Sequence, residues 1–367
     1  RADCRDGAGV SGTVLPLIGS APITSAMSYT PDYPFKKLEY GETLEVAPGI
    51  HWVRMPLPFA LNHINLWLLE DGDSWTVVDT GYNVDSTREI WDDALAKIAD
   101  GGPVDRLVCT HFHPDHLGLA GWFVEKFGSS LWMTYSEWLQ AHLAVSETVT
   151  HNFDRWVDFY RENGAPEKMT LGFKDVREAF RDPWYRLPET VRRIQDNEEI
   201  TIGGRVWHVI TGGGHSHEHA SLWCPELNVL ISGDQILPRI SSNISLWYTE
   251  PDGDPLRHYF NSFDKFRHIP EDVLVLPSHD YPFRGMHGRL DDLRAHHQER
   301  LNAALEFCRE PRTAADVMPS LFTREIGVFE FSFAMGETLA HLNYLVTDGL
   351  LERHRDDDGL IRYRRAI

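Results

Sequence analysis

The chain has 367 residues, 42% hydrophobic and 11% aromatic, with 55 acidic against 35 basic side chains and a formal net charge of −20. That length suits one large domain or a domain with an appendage, the composition reads as folded, and no apolar run reaches the about 18 residues of a membrane-spanning helix. The negative balance opposes nucleic-acid phosphates and anionic bilayers, and the scattered Cys4, Cys109, Cys224 and Cys308 suggest neither a disulfide framework nor a thiolate zinc knuckle, which points to a reducing, cytoplasmic setting.

Residues 1 to 26 are small and weakly patterned, with Pro16 breaking a short apolar run and Asp3 and Asp6 spoiling a basic leader. They read as a disordered extension, with Met27 a more natural start. From about Tyr40, the apolar and β-branched runs His51–Met55, Asn65–Leu69 and Trp75–Asp79 predict strands. Arg88 to Ala99 has helical spacing at Ile90, Leu95 and Ile98, and a buried-strand run follows at Arg106–Thr110. A helix is predicted next, with Leu117, Ala120, Phe123, Val124 and Phe127 on one stripe. Residues 132 to 193 are aromatic and helical in character and read as an insertion that covers a site or forms a dimer interface. Strands return at Glu199–Ile202, Arg205–Ile210, Ala220–Trp223, Val229–Ser232 and Val273–Leu276.

The last 60 or so residues read as a separate unit. Thr313–Met318 predicts a capped helix, and Met335–Val346 a second, with Leu339, Leu342, Leu345 and Val346 on one stripe. Two strands, Leu350–Arg355 and Leu360–Arg365, are joined by an Asp-rich turn ending in Gly359. Helices followed by a hairpin look like a winged helix. Its arginines are basic enough to meet DNA, but three aspartates at the tip would oppose phosphate, so packing or homodimer formation is the expected use.

The chemistry gathers at strand ends. His111-Phe-His113-Pro-Asp115-His116 follows one strand, Gly214-His215-Ser-His217-Glu-His219 another, Ser232-Gly-Asp234 a third and Ser278-His279-Asp280 a fourth. Three histidines and an aspartate in one turn are too many for one cation but can divide between two. Imidazole with carboxylate suits zinc, with iron or manganese as alternatives, whereas an all-oxygen set would suit magnesium or calcium.

With these motifs the chain resembles the metallo-β-lactamase superfamily. The HxHxDH motif stands as His111, His113, Asp115 and His116, the glycine-histidine motif as Gly214-His215, the bridging aspartate as Asp234 and the last histidine as His279. The resemblance covers roughly residues 40 to 305, within a domain drawn from 27 to 305 and followed by a winged-helix-like domain over 306 to 367. It implies an α/β fold, an αββα sandwich of two mixed sheets with helices outside, and a site at one edge holding two divalent transition-metal ions. His111, His113 and His215 would hold the first ion, Asp115, His116 and His279 the second, and Asp234 both, while Asp79 would orient the first loop without ligating.

No cysteine stands at a ligand position, which sets the chain apart from the best-known zinc β-lactamases. The intact set resembles instead the hydroxyacylglutathione hydrolases and lactonases. The implied reaction is attack of a hydroxide, generated between the metals, on a small ester, thioester or lactone, with Asp115 and Asp234 as the catalytic carboxylates. A phosphodiesterase or ribonuclease of the same superfamily, or a winged-helix regulatory protein, is the alternative. Tyr248, Tyr281, His217 and His219 are candidate substrate-binding residues because each is near a motif, and Arg239 and Arg284 are candidate clamps for an anionic group.

Overall fold

The structure is a computed structural model that describes residues 29–58, 61–146, 153–170, 172, 184–322 and 326–367. The extension expected over 1–26 lies outside these residues. Seven strands form the first sheet in chain order: β1 (Thr43–Ala47), β2 (Ile50–Pro56), β3 (His63–Asp71), β4 (Ser74–Val78), β5 (Val104–Val108), β6 (Ser130–Met133) and β7 (Arg192–Arg193). The first four run antiparallel, and β4 to β7 run parallel. The second sheet takes the order β12 (Leu274–Pro277), β11 (Val229–Gly233), β10 (His219–Cys224), β9 (Arg205–Gly212), β8 (Glu199–Ile202). Only its β11–β12 pair is parallel.

Strand alternation builds the layers. In β3, Ile64, Leu66 and Leu68 face outward into a cluster with Trp91, Leu95 and Phe123, whereas Trp67 and Leu69 face the second sheet. Val77 and Val78 of β4, and Leu107 and Val108 of β5, divide the same way. On the other side, Ile231, Leu274 and Leu276 face between the sheets, while Leu230 and Val275 face an outer helical layer. Successive side chains of a strand point to opposite faces, so a sheet buried on both faces reads as a continuous apolar run. The outer helices are α1 (Asp85–Ile98), α2 (Pro114–Leu117), α3 (Ala120–Phe127), α4 (Tyr135–Val145) and α5 (Phe153–Glu162), then α6 (Pro255–Phe266) and α7 (Met286–Phe307). Helix, sheet, sheet and helix stack as the αββα expectation requires. Among the described residues, no helix is long and apolar enough to cross a membrane.

Two expectations need correction, and two helices have no counterpart among them. The single helix predicted after His116 is two, because the His116 carbonyl accepts from Thr80 N (2.6 Å) and Thr80 Oγ1 (2.8 Å) and is diverted from the helical ladder. The block at 132–193 is not helical at its ends, since Trp132 pairs with Val108 in β6 and Arg192 with Trp132 in β7. Helices α6 and α7 carry no predicted stripe; α7 buries Arg289 and His297 beside its leucines, which blurs its apolar face.

The C-terminal unit comprises α8 (Ala314–Leu321), α9 (Val328–Thr347) and the antiparallel hairpin β13 (Leu351–Arg355) and β14 (Ile361–Arg365). Thr313 caps α8 reciprocally with Asp316. Helix α9 begins seven residues before the predicted Met335, where Glu330 closes back onto Gly327 N at 3.2 Å. Leu339, Leu342 and Leu345 share one buried cluster with Phe260, Phe263 and Leu301, so the unit packs directly on α6 and α7.

Candidate metal centre

The turn after β5 places His111, His113, Asp115 and His116 at the edge of the sandwich, where the loops after β9, β11 and β12 bring His215, Asp234 and His279. Two groups of ligand-type atoms result, each within 4.8 Å: His111, His113, His215 and Asp234, and Asp115, His116 and His279. His111 Nε2 lies 2.9 Å from His113 Nδ1 and 3.2 Å from His215 Nε2. Asp234 stands between the groups, with Oδ2 at 3.3 Å from His215 Nε2 and 3.6 Å from His116 Nε2, and Oδ1 at 3.3 Å from His279 Nε2. Asp115 Oδ2 is 3.7 Å from His116 Nε2 and 3.6 Å from His279 Nε2.

The outward ring nitrogens of four of the histidines are tied down. His111 Nδ1 meets Thr110 Oγ1 at 3.0 Å, His116 Nδ1 meets Asp79 Oδ2 at 2.7 Å, His215 Nδ1 meets the Asn243 carbonyl at 2.9 Å and His279 Nδ1 meets the His63 carbonyl at 2.9 Å. A proton held on Nδ1 of His116, His215 and His279 leaves each Nε2 lone pair aimed inward, the arrangement a metal-binding imidazole needs. His116 Nε2 and Asp234 Oδ1 are buried and have no hydrogen-bond partner among the described residues. Unpartnered buried polar atoms are costly, and a cation between them, taking the place of a proton on His116 Nε2, would relieve that cost. The residues fit divalent transition metals.

Electrostatics separates the groups. Burial pushes the His111 and His113 pKa values well below the ordinary histidine range, and the neighbouring rings add to it. Burial works against a charge on His116 too, but Asp79, Asp115 and Asp234 outweigh it and raise its pKa. Burial alone would raise Asp234, yet His279 and His116 hold it well below the carboxylate range. Asp234 is therefore ionised throughout the neutral range.

The surrounding scaffold contains the expected Asp79 and residues that sequence reading missed. Asp79 accepts from Thr110 N (2.8 Å) and Thr110 Oγ1 (2.9 Å) as well as from His116. Glu137 of α4, fully buried, accepts from Glu218 N at 2.6 Å and Phe112 N at 3.1 Å, and so joins the two histidine loops. His63 Nε2 accepts from Asp280 N at 2.8 Å. The only sequence signal for Glu137 is a carboxylate in the first turn after a strand; the carbonyls of His63 and Asn243 carry none.

Several candidates are not where proximity in sequence put them. His219 is buried behind the centre, its Nε2 accepting from Asp234 N at 3.1 Å, so it braces Asp234 and does not face the cleft. A Cβ at Gly233 would come within 2.4 Å of that nitrogen, which is why glycine precedes Asp234. Tyr248 lines a cavity of about 330 Å³ between α5 and the hairpin, with Arg155, Phe159 and Tyr363 and none of the seven candidate metal ligands. Tyr281 packs edge-on against Tyr33 (5.5 Å) and Trp52 (6.4 Å). Arg284 donates to the Asp272 carbonyl, at the opposite end of β12. His217 is exposed on the loop of His215, and Arg239, largely exposed, approaches Asp280 beside His279 at 3.6 Å.

The comparisons agree with this geometry. A family model described as the metallo-β-lactamase superfamily matches residues 61–279, and one for the metallo-β-lactamase-like C-terminal domain matches 301–366. A β-lactamase domain protein from Burkholderia ambifaria is 41% identical, with a TM-score of 0.85 over 92% of this chain and 98% of that one. A metallo-β-lactamase family protein from Thermus thermophilus is 29% identical, with a TM-score of 0.75 over 88% of this chain and all (100%) of its own. The "Probable metallo-hydrolase YqjP" of Bacillus subtilis is 25% identical over 315 residues, 80% of this chain and 91% of that protein. Two mixed sheets, a His/Asp centre at their edge and a matching second unit lead to one conclusion: the chain belongs to the metallo-β-lactamase superfamily of metallo-hydrolases and carries its C-terminal domain.

Proposed function

We propose that the chain is a dinuclear metal-dependent hydrolase of a small ester, thioester or lactone. The observation that carries this is the pair of inward-facing ligand groups sharing Asp234, with His116 Nε2 and Asp234 Oδ1 unsatisfied between them. His111, His113 and His215 would hold one ion, Asp115, His116 and His279 the other, and Asp234 would touch both. Five histidines and two carboxylates without a cysteine favour zinc. When bound, such ions supply Lewis acidity for a carbonyl oxygen and a water nucleophile near neutral pH.

The chain's own residues do the rest. Asp79 holds the His116 proton on Nδ1, which fixes the ring. Asp234, kept ionised, balances cationic charge at the middle of the site. Asp115 reaches the cleft surface and is placed to take a proton from the attacking water. Acyl chemistry is preferred to phosphodiester cleavage because four hairpin arginines are already paired: Arg353 with Asp252, Arg355 with Glu162, Arg362 with Asp356 and Asp358, and Arg364 with Glu352. On a chain of net charge −20 they leave little to attract a polynucleotide.

The test couples metal analysis to a panel of thioesters, lactones and phosphodiesters. Expected are two transition-metal ions per chain and hydrolysis of an acyl substrate that Asp115→Ala abolishes. Phosphodiester turnover should be lower by about tenfold or more in kcat/KM, about 1.4 kcal/mol in transition-state stabilisation. The reverse ranking at equal metal loading would make the chain a phosphodiesterase instead.

A further inference from the structure

His215 is the ligand-type histidine whose outer nitrogen rests on a loop, not on a strand or its own motif. That loop, residues 234–246, leaves β11 at Asp234 and is held from the far side by the C-terminal unit and α7. Asn243, whose carbonyl seats His215 Nδ1, sends its amide to Glu337 Oε2 at 3.3 Å and to the Phe333 carbonyl at 3.4 Å, both on α9. The Asn243 Oδ1 accepts from Ser245 Oγ at 2.6 Å. Arg300 of α7 closes on the other oxygen of Glu337, which is buried. Leu246 N donates to the Gly336 carbonyl at 3.0 Å, and a Cβ on Gly336 would lie 2.7 Å from Ser245 Oγ and 2.9 Å from Ser245 Cβ. Glycine at that position lets α9 press against the loop. Arg289 of α7 holds the earlier part, donating to the Leu237 (2.6 Å) and Ile240 (2.8 Å) carbonyls.

Glu337 also stands beside His297 and His341, a third grouping of ligand-type side chains. Both Glu337 oxygens are already engaged, by Arg300 and Asn243, and His341 Nδ1 donates to the Glu337 carbonyl at 2.7 Å, leaving its Nε2 to meet His297 Nδ1 at 3.1 Å. A guanidinium on the same carboxylate opposes a dication there. The grouping is an anchor at the junction of α7 and α9.

We propose that Glu337 and Asn243 are positioning residues through which the C-terminal unit sets the first metal position: Arg300 fixes Glu337, Glu337 fixes Asn243, and the Asn243 carbonyl fixes the His215 ring. This rests on the dinuclear reading above. Partners that orient a metal-bound histidine characteristically change metal affinity by about 10 to 100-fold when removed. Asn243→Ala keeps the carbonyl and removes only its anchors, so any effect on His215 is transmitted.

The experiment titrates metal-stripped protein with cobalt(II) and follows the visible bands and the two stepwise affinities. The chains are the parent, Asn243→Ala, Glu337→Gln, Gly336→Ala and the double variant Asn243→Ala/Glu337→Gln. Tyr363→Phe, which removes a hydroxyl of the same unit that bonds Asn163 and not the loop, is the control. Expected is about tenfold weaker binding of the first ion with a shifted spectrum in Asn243→Ala, Glu337→Gln and Gly336→Ala alike, the second ion unchanged, and no further loss in the double variant. Tyr363→Phe should lower the melting temperature and leave both affinities alone. Variants that melt earlier yet bind both ions as the parent does would overturn the proposal. So would a third tightly held ion lost in Glu337→Gln. A parent that takes up fewer than two ions sinks the dinuclear reading itself, and this proposal with it.

Discussion

The two halves of the metal centre are held in different ways. His111, His113 and His116 sit on one turn, braced by Asp79 and Thr110, which lie at the ends of the adjacent strands β4 and β5. His215, Asp234 and His279 come from three loops and lean on residues distant in sequence: Asn243, His219 and His63. The first half is a local motif closed by a buried carboxylate. The second is an assembly that exists only once the second sheet, α7 and α9 are in place. Glu137 is the strap between them.

The sharpest way to test the contrast is Asp79→Ala. It leaves Thr110 N, Thr110 Oγ1 and His116 Nδ1 without their acceptor in a buried site. Breaking a buried charged network in this way costs about 3–5 kcal/mol. Urea unfolding should show that loss, and the ion held by His116 should weaken more than the one held by His215, which Asp79 reaches only through Thr110 and His111. A loss below about 1 kcal/mol would mean that the first half is not held locally. Glu137→Ala comes next. It strands the Phe112 and Glu218 amides, at about 1–3 kcal/mol for each unsatisfied buried donor. Because Glu137 touches both loops, both ion affinities should fall together; a fall confined to one ion would show that the halves are independent.

The smallest effect concerns the remote support and depends on pH. Burial pushes the His341 pKa down to about 3, and burial followed by the proximity of His341 takes His297 well below its ordinary value. The unfolded chain takes up a proton on each near pH 6.5, while the folded chain refuses one on His341 until about pH 3. Stability present above pH 6.5 is therefore lost as pH falls through that window. Glu337, raised to about 7 by burial despite Arg300, slopes the other way, losing stability as pH rises from about 4.5 to 7. It is common to parent and variant, so the difference between them isolates the histidine. His341→Gln should flatten the acid-side slope by up to about 1.4 kcal/mol per pH unit. Equal slopes by chemical denaturation at pH 4.5 to 6.5 would show that His341 is protonated in the folded chain.

The contrast between the halves also decides what the sequence reveals. Trp67, Val78, Val108 and Ile231 are legible because a sheet buried on both faces leaves an uninterrupted apolar run, and the HxHxDH turn is legible because its donors are consecutive. Asn243 is invisible, since what it gives His215 is a backbone carbonyl, which every residue has. His219 misleads for the opposite reason: its type suits a cleft residue, but β10 turns it inward onto Asp234 N. Arg284 and Tyr248 are near motifs in sequence only, because one strand length of β12 and the bend after Leu246 carry them away. Helix α7 escapes notice because Arg289 and His297 occupy its buried face, and both are explained only by the loop and helix they meet.

That helix has a further consequence. It runs for 22 residues from just after the His279 loop to the start of the C-terminal unit, and a single buried cluster extends from Val157 through Phe263 and Leu293 to Leu339 and Tyr363. No weakly packed linker separates the two family matches, so heat should melt them in one endotherm with matching calorimetric and van't Hoff enthalpies. Slow amide exchange in α9 should then report the global opening, including that of the β-sheets beneath it, and the unit that looks like an accessory in the sequence would behave thermodynamically as part of the enzyme's core.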